Sequence, residues 1–66
     1  MFLGQALIYI QNNSFIIKCE DTSILGINLG REELFTNRFD SRLKGEVLNT
    51  EVFKISAKDN KVILHV

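Results

Sequence analysis

The chain contains no proline, and cysteine, histidine, methionine and tyrosine occur once each. Each scarcity excludes something. A lone Cys19 excludes a disulfide staple within the chain and fits a reducing compartment. Met1-Phe2-Leu3 lacks the basic start of an export signal, so the expected location is cytoplasmic. No apolar run approaches the length of a membrane span. Without proline, no loop is restrained covalently. Cys19 and His65 lie far apart in sequence, so no Cys–His pair is legible. There is no phosphate-cradling glycine loop, no metal-ligand spacing and no carboxylate pair beyond Glu32-Glu33. A non-enzymatic module with no cofactor or metal is the expectation.

Neither sign of charge is in excess, with eight basic residues against eight acidic, so the sum does not advertise nucleic-acid binding. The distribution says more. Arg38, Arg42 and Lys44 are interrupted only by Asp40, and Lys54, Lys58 and Lys61 only by Asp59. Side by side, the two stretches would form a positive patch; apart, they are ordinary solvated faces. The 66 residues make one domain, residues 1–66, which buries only about 60% of its unfolded surface. An apolar share of 45% with 24% charged residues argues for a globular core over disorder.

Five strands and one helix are predicted along the chain. Phe2 to Ile10 is β-prone and almost wholly apolar, as in a strand buried on both faces. A turn over Gln11-Asn12-Asn13-Ser14 leads to a second strand, Phe15 to Glu20, and Ile24 to Leu29 is a short third. Gly30 to Phe39 is the candidate helix, with Glu32 and Glu33 in its first turn and Leu34, Phe35 and Phe39 inward. A fourth strand carries Leu48, Val52 and Ile55, and a fifth alternates Val62, Leu64 and Val66. Between these two, Asp59-Asn60 is a dipeptide suited to a tight hairpin turn. Three strands, a helix and two strands predict an all-β fold, a five-stranded OB-like barrel with one short helix between strands 3 and 4. A small SH3-like barrel is the competing architecture.

The spacing Gly45, Leu48, Val52, Ile55, followed by Ser56, Asp59-Asn60, Lys61 and Val62-x-Leu64-x-Val66, resembles the S-one type of RNA-binding domain. Gly4 with Asn13-Ser14-Phe15-Ile16, and Gly26-Ile27 with Glu33-Leu34, extend the resemblance across most of the chain. It departs at positions where that family contacts RNA: Asn12 and Asn13 replace an aromatic and a glycine, and Ser56 an acidic residue. The resemblance implies an OB fold and a single-stranded RNA ligand. It places Phe15 on the binding face, whereas alternation of Phe15, Ile17 and Cys19 places it in the core.

The candidate contacts are Phe15 for base stacking and Lys18, Arg38, Arg42, Lys54, Lys58 and Lys61 for phosphates. Tyr9, Phe35, Phe39 and Cys19 are read as core, and His65 as a strand residue with no visible partner. The function expected is a weak, single-stranded RNA-binding module; the alternative is a protein-interaction module, or a mimic of an S-one domain, whose barrel face binds a protein partner.

Overall fold

A computed structural model describes residues 1–11 and 13–66; Asn12, assigned above to the first turn, lies outside the described residues. The chain begins with a helix, α1 (Leu3–Ile10), not a strand. Its apolar content is nearly unbroken, but burial falls on Leu3, Ala6, Leu7 and Ile10. That i, i+3, i+4, i+7 spacing is one face of a helix. The Phe2 N–H donates to Gln5 Oε1 at 2.8 Å, one arm of a capping box, and the Leu3 N–H donates to the Thr50 carbonyl at 2.8 Å. Burying each large aliphatic side chain of this face is worth about 1.5–3 kcal/mol. A lysine at Leu7 would therefore detach the helix. Tyr9, on the outer face, is 78% exposed and is not core.

Four strands follow: β1 (Phe15–Lys18), β2 (Glu32–Phe35), β3 (Lys54–Lys58) and β4 (Lys61–His65). They form one mixed sheet in the order β2-β1-β4-β3. The central pair β1 and β4 is parallel, and both outer pairs are antiparallel. The expected five-stranded barrel is therefore overturned: the fold is α/β, an N-terminal helix on one face of an open four-stranded sheet.

The reasons are local. Glu32–Phe35 pairs with β1 from Phe15↔Phe35 to Lys18↔Glu32, and long-range pairing overrides the helical reading of this segment. Gly30, at φ +81, makes the entry, its N–H donating to the Cys19 carbonyl at 2.6 Å. The expected third strand is instead a tight turn. Leu25 and Gly26 have φ 55 and 76, and the Ile27 N–H closes it on the Ile24 carbonyl at 2.7 Å. Gly45–Asn49 is a 3₁₀ helix, so the expected fourth strand begins later, at Lys54. Gly4 is small because this turn packs on it: a Cβ there would stand 3.3 Å from Leu48 Cβ. The terminal hairpin forms where expected, with Asp59 and Asn60 at φ 53 and 64, the double left-handed turn that matches strand twist.

The core lies between α1 and the sheet. Leu3, Ala6, Leu7 and Ile10 pack with Phe15, Ile17, Cys19, Phe35, Leu64 and Val66, closed at the rim by Ile27, Leu43 and Val52. The other face of the sheet carries no helix.

Candidate functional site

Strand periodicity of two decides what the uncovered face displays. With Phe15, Ile17, Phe35 and Leu64 turned inward, Ile16, Lys18, Glu32, Leu34, Ser56, Ile63 and His65 point the other way. Register arranges them in rows. Leu34, Ile16, Ile63 and Ser56 run across the four strands, and Glu32, Lys18, His65 and Lys54 form the adjacent row. Lys58 and Lys61 pair at the hairpin end of the same face. Four lysines expected from the sequence, Lys18, Lys54, Lys58 and Lys61, are thus brought together around a small apolar centre. Beside that centre is a shallow groove of about 240 Å³, lined by Ile16, Leu34, Glu32, Lys58, Asp59 and Lys61. Among the described residues only Lys18 of the four lies within ion-pair range of a carboxylate, at 4.0 Å from Glu20.

The other three candidates lie elsewhere. Phe15 is fully buried, its ring stacked on Phe35 with centroids 5.3 Å apart, so it offers no platform to a base. Arg42 donates to Glu33 at 2.7 Å and Asp40 at 3.0 Å, and its guanidinium stands 4.4 Å from the Phe35 ring centroid. The hydrogen bonds from Arg42 hold the Asp40 carboxyl below its ordinary pKa, and the bond to Asp40 raises that of Arg42. Arg38 donates to the Ile8 carbonyl at 3.1 Å and lies 4.8 Å from the Phe39 ring. Both arginines belong to the helix side. There Phe39 is 72% exposed, contrary to its expected core role, and borders a groove of about 360 Å³ with Ile8, Leu43 and Leu48.

The lysine face also holds an arrangement that sequence reading missed. His65 is buried and has two side-chain partners. Ser56 Oγ is 2.6 Å from Nε2, and Glu20 Oε2 is 2.8 Å from Nδ1. An ionised carboxylate only accepts, so Nδ1 donates to Glu20, and in the neutral ring Nε2 accepts from the serine hydroxyl. The half-exposed Phe53 ring stands 6.3 Å from the imidazole. The β3–β4 hairpin sets Ser56 beside His65, and the parallel β1–β4 register brings Glu20, which follows β1, to the same ring. Alternation in the last strand does place His65 opposite Leu64 and Val66, which was the one available signal.

Among the described residues there is no cluster of three or more histidine, cysteine or acidic side chains to hold a metal ion, and no helix is long and apolar enough to cross a membrane. No protein-family model, curated protein or solved structure matches the chain.

Proposed function

We propose that the uncovered face of the sheet binds single-stranded RNA in the cytoplasm. The observation that carries this reading is the convergence of Lys18, Lys54, Lys58 and Lys61 on one uncovered surface. Ammonium groups spaced along strands can follow a flexible phosphate chain and release its counterions. Phe53, exposed at the His65 end, replaces Phe15 as the stacking residue. This mode of binding depends on an open sheet and needs no closed barrel. Ile16, Leu34 and Ile63 supply an apolar floor between the charges.

Titration of a labelled single-stranded oligonucleotide at two salt concentrations tests it. Four phosphate contacts give a slope of log K against log salt of about −2.8 at about −0.7 per contact. Raising salt from about 50 to 200 mM then weakens binding about 50-fold. Lys61→Ala should flatten the slope by about 0.7. Absence of binding at low salt would overturn the RNA reading. It would leave a protein-interaction module, which the exposed Ile8, Tyr9 and Phe39 of the helix side favour.

A further inference from the structure

The structure assigns a second capacity to the uncovered face: we infer that Ser56 is a nucleophile, with His65 as its general base and Glu20 as the positioning residue, acting on small esters that carry a negative charge. The inference stands on the contacts of these three side chains and is independent of RNA binding.

Hydroxyl, imidazole and carboxylate are linked in the order that activates a serine. The Ser56 hydroxyl meets Nε2 at 2.6 Å, and Glu20 meets the opposite nitrogen, Nδ1, at 2.8 Å. The carboxylate fixes the tautomer that leaves Nε2 able to accept a proton. The imidazole is nearly buried while Ser56 stays partly accessible, so the base is held and the nucleophile can be reached. Substrate charge follows from the neighbours. Lys54 and Lys58 lie two residues either side of Ser56 on the same face of β3, and Lys18 stands beside His65 in register. These ammonium groups would attract an anionic acyl group and face the oxyanion that develops on its carbonyl.

The step balances without a cofactor. Ser56 Oγ forms a bond to the acyl carbon as its proton passes to Nε2 of His65. The tetrahedral intermediate collapses, the bond to the leaving oxygen breaks, and the Nε2 proton goes to that oxygen. Water, deprotonated by Nε2, then attacks the acyl carbon, the Oγ–carbon bond breaks, and Oγ recovers a proton. The net reaction is ester plus water to acid plus alcohol.

The full chain should be incubated with a fluorophosphonate probe, mapped by mass spectrometry, and assayed with p-nitrophenyl hydrogen succinate and p-nitrophenyl acetate. A single adduct on Ser56 is expected, with faster turnover of the charged ester. Ser56→Ala should lower turnover at least about 100-fold, the minimum expected of acid–base and nucleophilic assistance, in a chain that circular dichroism shows still folded at the assay temperature. Lys54→Ala with Lys58→Ala should slow turnover of both esters, that of the succinate ester by the larger factor, because the ammonium groups face the oxyanion of either and attract only the charged acyl group. Glu20→Gln should slow labelling and alter its pH profile in a protein that still melts like the parent, which a merely structural contact would not do. Absence of an adduct on Ser56, or turnover that survives Ser56→Ala, would overturn the inference.

Discussion

Replacing Phe15 distinguishes a core ring from a binding platform. The side chain is fully buried and stacked on Phe35 at an interplanar angle of 11°. Phe15→Ala should cost about 3–5 kcal/mol, from lost transfer energy and the cavity left behind. A domain of this length has roughly 3–10 kcal/mol in total, at about 0.05–0.15 kcal/mol per residue. The alanine variant should therefore be largely unfolded or close to it. Phe15→Leu keeps an apolar side chain and loses chiefly the aromatic pair, about 0.5–1.5 kcal/mol. At about 4–8 °C per kcal/mol, that lowers the melting temperature by roughly 2–12 °C. Far-UV circular dichroism melts report both effects, and oligonucleotide titration of the leucine variant well below its midpoint should match the parent. An alanine variant that melts like the parent yet loses RNA binding would refute the reasoning, because the ring would then lie on the surface.

Two further predictions concern backbone and charge. Gly30→Ala forces a side chain onto a backbone at φ +81, with open space around it, so the cost is conformational. It should be about 1–2 kcal/mol, read as a lowered urea midpoint at constant slope. The Asp40 pKa is depressed in the folded chain by Arg42, so its contribution is present above the unfolded value and is lost as pH falls through the folded one. The melting temperature should therefore fall as pH drops below about 4, and Asp40→Asn should flatten that fall; an unchanged pH profile in the variant would contradict the pairing.

The legible parts of the fold were those decided by neighbours in sequence. The Asp59-Asn60 turn and the alternation of Val62, Leu64 and Val66 located the terminal hairpin, and Phe15 with Ile17 and Cys19 marked the inward side of β1. The misread parts were decided by distant partners. Phe2 to Ile10 is apolar enough for a buried strand, and only its burial on one side selects α1. Glu32–Phe35 has helical credentials and yields to pairing with β1. The lysine cluster was half visible: Lys54, Lys58 and Lys61 share a hairpin, whereas Lys18 joins them through the parallel register alone. The same register carries Glu20 to His65, a contact no local pattern announces.

The β1–β4 seam also sets the order of events in folding. Phe15 pairs with Val62 and Lys18 with His65, and the Lys18 carbonyl accepts from the Val66 N–H at 2.9 Å. Neither antiparallel hairpin can bury its inward face until the two meet, and parallel contacts between such distant segments pay their loop-closure entropy before any reward. On a ribosome, β1 and β2 would wait with one open edge until β4 had left the exit tunnel. Assembly is thus a single late event, and the waiting edge is where a chaperone, or a second nascent chain, would find its hold.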